Sequence, residues 1–453
     1  MTTPAFSVDG QRVVVVGAAR SGLAAAELLA RRGARVTLTD MKADLPGADR
    51  LRAAGIALEL GGHRDATFDT ADLVVTSPGV PPELGPLARA RARGVPVIGE
   101  LELASRWLRG PILAITGTKG KSTTTTLVGR MLEAAGRRVL VGGNIGVPLS
   151  SQVDASTADT FHVVEASSFQ LEATATFHPW IAALLNVSPD HLDRHPDERA
   201  YAEAKARIFA NQDAGDWAVV NAESAPAMRL ASRTRARIVP YSVAPTPAAA
   251  VFVDQGAVCH RTSEGVVPLV PLSVVALAGR HMLSNVVAAT AICRLAGAEG
   301  AALVRALEGF TGIEHVMEPV ATVGGVRFVN DSKATNIEAA ARSIESFDKV
   351  VAVLGGRFKG GRFEDLRGPL AARGRGVVAI GEAAPLVEAA LGAVVPVERA
   401  GSMADAVRRA FRLAGADGVV LLAPACASFD MFVDYADRGR VFKEEVRKLV
   451  AGA

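Results

Sequence analysis

Residues 116–126, TGTKGKSTTTT, gather the groups that hold phosphate. Glycines free backbone N–H groups to point at anionic oxygens, a lysine adds a point charge, and a Ser or Thr hydroxyl can reach a magnesium ion. Gly117, Gly120, Lys121 and Ser122 supply these parts, with Thr118, Lys119 and Thr123 beside them. The loop departs from the usual G-x-x-x-x-G-K-[ST], because Ile115 stands where the first glycine belongs. Its context is nonetheless right. An apolar strand, PILAITG, runs into it, and a helical pattern follows with Leu127, Val128, Met131 and Leu132 on one face. A variant phosphate loop is expected, in preference to a glycine-rich turn with solvated lysines.

Other groups suited to chemistry fall at the ends of apolar runs. Glu165 closes FHVVE, and Asp190, His191, Asp193 and His195 follow WIAALLNVSP. Strand ends of open α/β sheets face the ligand crevice. One carboxylate together with phosphate oxygens suffices for Mg²⁺. His191 and His195 have the spacing of a zinc pair, but zinc needs more nitrogen or sulfur ligands than the segment offers. His195 is therefore expected as a solvated surface residue. Lys205, in the helical stretch YAEAKARIF, reads by default as a lysine on an exposed face. Near the start, Gly17-Ala18-Ala19-Arg20-Ser21-Gly22 with the later Asp40 is close to the dinucleotide fingerprint, but Ala19 replaces the middle glycine. A methyl group there discourages approach of a pyrophosphate. The turn is expected to serve a nucleotide-like ligand in preference to NAD, or packing alone. Cys426 has no evident base nearby and is expected in the core.

The elements that must position these residues form three blocks. In 1–99, RVVVVG, RVTLTD, DLVVTSPGV and GVPVIG read as strands, with SGLAAAELLARRG as a helix between the first two. This βαβ series predicts a parallel sheet. In 100–312 the phosphate loop sits among further apolar strands, and VFVDQGAVCHRTSEGVVPLV predicts a small antiparallel patch. In 313–453, VRFVNDSKATN, KVVAVLGGRFKGG, GVVAIGE and GVVLLAPACASFD predict a second doubly wound sheet. The class is α/β. The 50 basic residues nearly balance the 47 acidic ones and are mixed along the chain, which argues against nucleic-acid or membrane-surface partners. Three widely spaced cysteines suit a reducing compartment. No signal peptide is expected from MTTPAFSVDG, and VVPLVPLSVVALAG is too short to cross a bilayer.

GTKGKSTTTT, GGNIGVP, EASSFQLE, NVSPDHLDRH, AKARIF, NDSKATN, LGGRFKGG and PACASFD occur in one order that resembles the Mur ligases of peptidoglycan synthesis, in particular the D-glutamate-adding branch. The resemblance implies three domains. They are an N-terminal Rossmann-like domain for a UDP precursor (1–99), a central P-loop-type ATPase sheet (100–312) and a C-terminal Rossmann-like domain for ATP and the amino acid (313–453). It implies ATP and Mg²⁺ as cofactors, with UDP-N-acetylmuramoyl-L-alanine and D-glutamate as substrates joined through an acyl phosphate by a cytoplasmic monomer. By the same carry-over, Lys121 and the loop residues Gly117 to Thr123 hold ATP with Asn285 and Asp331. Ser122, Glu165, His191 and a carbamylated Lys205 ligate magnesium. Ser21, Asp40, Ser77, Pro78, Gly79, Asn144 and Gln170 take the UDP precursor, and Lys333, Thr335, Lys359 and Ser428 take D-glutamate. Three departures stand out: His315 is followed by Val316 where arginine is common, Met282 replaces an asparagine in GRHMLSN, and Lys119 stands where asparagine is frequent. The competing readings are a sister amide ligase (another Mur ligase or folylpolyglutamate synthase), an NAD-dependent oxidoreductase, or a non-catalytic nucleotide-binding regulator.

Overall fold

The computed structural model describes residues 6–190, 194–276 and 279–451. The chain divides into two compact units, residues 1–310 and 311–453. The first unit holds two sheets. One is five-stranded and parallel throughout, in the order Ala57–Leu60, Arg35–Asp40, Arg12–Val16, Leu73–Thr76 and Val97–Gly99. Its central strand, RVVVV, is buried at every valine, as expected of a strand covered on both faces.

The other sheet has nine strands and carries the phosphate loop at its centre. From one edge the order is Arg138–Gly143, Thr160–Glu165, Ile112–Thr116, Ile181–Leu184, Trp217–Asn221, Arg237–Ser242 and Val251–Asp254, all parallel. Ala257–Thr262 and Gly265–Pro271 then extend it as the expected antiparallel patch. The last strand is the sheet's edge, with prolines at 268 and 271, exposed Val266 and Val267, and a register shift at Val258/Cys259 in its partner. Helices Lys121–Ala134 and Arg280–Leu295 bury Leu127, Val128, Met131, Val286 and Ile292 on one face of this sheet.

The second unit is a six-stranded sheet ordered Glu318–Val323, Val326–Asn330, Val419–Leu422, Val350–Gly355, Gly374–Ile380 and Val397–Ala400. Only the first pair is antiparallel. Sequence patterning missed several edge or short strands, among them Ala57–Leu60 and Val397–Ala400. Each has four residues with mixed burial, too few to show a period.

A buried carboxylate helps to tie the two sheets of the first unit together. Helix Glu100–Ser105 follows the strand Val97–Gly99 directly, and Gly99 N donates to Ala173 O at 2.8 Å. Glu102 on this helix is fully buried. It accepts from Ala175 N at 2.8 Å, Phe177 N at 2.9 Å, Thr176 Oγ1 at 2.6 Å and Arg106 Nε at 2.9 Å. Burial raises its pKa, but these donors outweigh burial and hold it below the ordinary glutamate value. The stability Glu102 contributes is therefore present above the unfolded carboxylate range and lost as pH falls through the folded value. Glu102→Gln is expected to cost about 2–3 kcal/mol near neutral pH, the scale of charged hydrogen bonds. Urea unfolding followed by circular dichroism is expected to show this gap closing as pH drops below about 4.

Candidate active site

The phosphate loop is shaped by two glycines. Gly117 has φ +156° and Gly120 has φ +83°, and the helix starts at Lys121. A Cβ on Gly120 would stand 2.2 Å from Asn285 Oδ1, so only glycine lets helix Arg280–Leu295 approach the loop. Asn285, expected at the nucleotide, is thereby placed against it. Its Nδ2 donates to Met282 Sδ at 3.8 Å.

A second asparagine, which the motif reading quoted without giving it a role, fixes the loop from the neighbouring strand. Asn186 Oδ1 accepts from Thr118 N at 3.1 Å and Lys119 N at 2.8 Å, and its Nδ2 donates to Lys119 O at 3.0 Å. Thr118 Oγ1 donates to Ser188 O at 3.1 Å and accepts from Tyr201 OH at 3.2 Å. Two lysine side chains meet at one carbonyl: Lys121 Nζ lies 3.0 Å from Gly117 O, and Lys205 Nζ lies 2.8 Å from the same oxygen.

Lys205 overturns the default reading of its helix. It is buried, not exposed, and its ammonium sits 4.4 Å from the centre of the Tyr201 ring. Burial, reinforced by Lys121, pushes its pKa down to about 6 against the pull of Asp190 and Glu165. His195 is likewise buried where a solvated residue was expected. Its ring nitrogens face Ser168 Oγ at 3.0 Å and Glu172 Oε1 at 3.2 Å. Helical periodicity places a side chain on a face, but it does not say which neighbour covers that face.

Glu165 reaches the same end of the sheet because Ile115 pairs with it in register. It is buried, and Asn144 Nδ2 donates to its Oε1 at 2.6 Å. Its Oε2 is buried without a hydrogen-bond partner among the described residues. An orphaned carboxylate oxygen beside a phosphate loop suits a hard cation, and Ser122 in the first helical turn supplies a hydroxyl. His191, and the neighbouring Asp193, lie outside the described residues. Among those residues, His178, Asp213 and Asp216 bring three ligand atoms within 4.8 Å of one another. They stand at the opposite end of the parallel strands from the loop.

Several precursor residues expected from the motif order gather at the first sheet. Ser77, Pro78 and Gln170 line a cleft of about 150 Å³ with Phe169, Glu172 and Arg194. Ser77 Oγ donates to Gly17 O at 3.0 Å, and Asp40 Oδ2 accepts from Ala18 N at 2.6 Å. A Cβ on Gly22 would lie 1.8 Å from Gly17 O, so this turn is packed too tightly for any side chain there. Burial raises the Asp40 pKa, and the Ala18 and Lys42 amides more than reverse it. Ser21 is half-buried and Gly79 is exposed. Asn144 stands apart from the cleft, beside Glu165.

In the second unit the expected amino-acid residues come from three strand-end loops. Lys359 Nζ lies 3.4 Å from Thr335 Oγ1, while Arg357 and Ala427 pair through both backbone bonds, next to the buried Ser428. Asp331 is buried, accepts from Ser343 Oγ and from Met317 N, and has its pKa raised by burial. Lys333 N donates to His315 O at 3.1 Å. A residue the sequence did not flag holds these loops. Arg438 is fully buried and donates to Ser332 Oγ at 3.0 Å, Ser332 O at 2.9 Å and Cys426 O at 3.1 Å. Burial lowers its pKa to about 10, so it remains a cation at neutral pH. Cys426 is buried as expected, its thiol pushed up to about 12 by burial.

A glycine turn at the centre of a mostly parallel sheet, in a unit that also holds a Rossmann-like sheet and is followed by a second α/β unit, is a scaffold suited to a nucleotide. Comparison with known proteins makes this specific. Residues 11–99 match the family model described as Mur ligase MurD-like, N-terminal domain. Residues 115–293 match the Mur ligase middle domain, and residues 317–426 match the Mur ligase, glutamate ligase domain. The chain is 46% identical to a UDP-N-acetylmuramoylalanine–D-glutamate ligase of Acidobacterium capsulatum, covering 97% of both chains. It is 42% identical to an enzyme of the same name from Geotalea daltonii, covering 99% of both. Its fold is similar to that of UDP-N-acetylmuramate-alanine ligase from Thermotoga maritima, with TM-score 0.55 and 19% identity over 97% of this chain and 99% of that one. The chain belongs to the Mur ligase family.

Because Gly120 is squeezed by Asn285 and held at positive φ, Gly120→Ala is expected to displace the loop from the helix. Nucleotide affinity, measured by calorimetry with ADP, should fall at least tenfold, about 1.4 kcal/mol, while Gly256→Ala, in a turn with open space around it, should leave it unchanged.

Proposed function

We propose that this chain is an ATP-dependent amide ligase that adds D-glutamate to UDP-N-acetylmuramoyl-L-alanine in peptidoglycan synthesis. The observation that carries this reading is its near full-length likeness to ligases of that name. The reaction has two steps. A carboxylate oxygen of the precursor's alanine attacks the γ-phosphorus of ATP, and the bond to the ADP oxygen breaks. The amine of D-glutamate then attacks the carbonyl carbon of the acyl phosphate, phosphate leaves with its bonding pair, and the amine proton passes to solvent.

The chemistry asks for cations and oriented donors more than for acids and bases, since two anions must first be brought together. Lys121 and the amides of residues 117–123 suit the phosphates. Asn285 and Asp331 suit the rest of the nucleotide. Ser21, Asp40, Ser77, Pro78, Gly79, Asn144 and Gln170 suit the precursor, and Lys333, Thr335, Lys359 and Ser428 suit the two carboxylates of D-glutamate. Ser122, Glu165, His191 and Lys205 as a carbamate would hold Mg²⁺, which when bound neutralises phosphate charge. The lowered pKa of Lys205 supports its part in this set, because only a neutral amine adds CO₂, and near neutral pH most of this amine is uncharged. Below about pH 6 the amine takes up a proton and carbamate formation is opposed. No helix among the described residues is long and apolar enough to cross a membrane. A monomer acting in the cytoplasm fits this reading.

Phosphate release is expected with ATP, Mg²⁺, UDP-N-acetylmuramoyl-L-alanine and D-glutamate together, and not when D-glutamate is replaced by L-lysine or meso-diaminopimelate. Turnover with those amino acids instead would overturn the assignment. Lys205→Ala is expected to lose at least a hundredfold in kcat and to regain part of it with added short carboxylates. Full activity of that variant without them would refute the carbamate.

A further inference from the structure

His195 packs between the helix Ser168–Glu172 and Tyr201. It is fully enclosed, stacked on Phe169 with ring centres 5.4 Å apart and planes 18° apart, and edge-on to Tyr201 at 5.2 Å. Its Nε2 lies 3.0 Å from Ser168 Oγ and its Nδ1 lies 3.2 Å from Glu172 Oε1. The Ser168 contact at Nε2, together with packing against Phe169 and Tyr201, sets the orientation of the imidazole.

Its neighbours on either side lead to the residues given roles in the proposed function. Ser168, Phe169 and Glu172 belong to the short helix Ser168–Glu172, which also carries Gln170, and three of these residues line the cleft of the first sheet. On the other side, Tyr201 donates to Thr118 Oγ1 of the phosphate loop and underlies the ammonium of Lys205. The outer face of Phe169 is covered by the Arg194 guanidinium at 5.3 Å, which also donates to Val80 O in the first sheet's loop. A Ser, a His and a carboxylate in line have the look of a hydrolase triad, but Ser168 is buried in a helix's first turn and closed to substrate.

We propose that His195 is a positioning residue. It sets the distance between the precursor-binding helix and the phosphate loop, and so aligns the acceptor carboxylate with the γ-phosphate. This rests on the function proposed above. Misplacement by an ångström at such a contact costs on the order of a hundredfold in rate, without loss of the separate binding sites.

The test compares His195→Phe, which keeps the ring stacking and removes both polar contacts, with His195→Gln, which restores an amide near the Nε2 position. His195→Phe is expected to lower kcat at least tenfold while binding one ADP per chain with a dissociation constant within threefold of wild type. His195→Gln is expected to recover most of the loss. The inference is overturned if His195→Phe keeps kcat within twofold of wild type, if its kcat falls only in step with the fraction of chains that bind ADP, or if His195→Gln is as slow as His195→Phe. A wild-type protein that forms no product from UDP-N-acetylmuramoyl-L-alanine and D-glutamate overturns the proposed function, and this inference with it.

Discussion

Everything at the phosphate site depends on one backbone carbonyl. Gly117 O takes Lys121 and Lys205 at once, at 3.0 and 2.8 Å. Two cations that close would repel each other; burial, reinforced by Lys121, lowers the Lys205 pKa to about 6 and so avoids a second charge beside Lys121 near neutral pH. Both amines reach that carbonyl because the glycine turn exposes it, and because Asn186 and Ser188 hold the loop from the next strand.

Sheet register delivers the other partners. Ile115 opposite Glu165, and Thr116 opposite Leu184, put a carboxylate and the Asn186 clamp on either side of the loop without any long connection. The same economy holds in the second unit, where buried Arg438 ties together the loops that carry Ser332 and Cys426. In each unit the candidate residues sit at or beside strand and helix ends, and a rigid element behind them fixes where they can go.

The sequence was informative where backbone geometry demands particular residues. Gly117 and Gly120 were legible because both hold backbone angles that favour glycine, just ahead of the expected helix. The alternating apolar runs foretold the parallel sheets and the antiparallel patch. Legibility failed where tertiary neighbours decide the outcome. Lys205 and His195 looked like surface residues because nothing local reveals that Tyr201, Phe169 and the loop close over them. Arg438 was silent for the same reason, since its partners are carbonyls and a hydroxyl contributed by loops 12 and about 100 residues away. Family resemblance supplied a role for Lys205 that helical periodicity did not.

The nine-stranded sheet ends at Gly265–Pro271 with two positions that have no N–H to offer, beside a register shift in the strand that supports it. An open row of backbone groups flanked by bare valines would otherwise invite a neighbouring chain to add itself. The prolines interrupt that row, so the antiparallel extension acts as a terminator. Such an edge offers a poor template for a further strand.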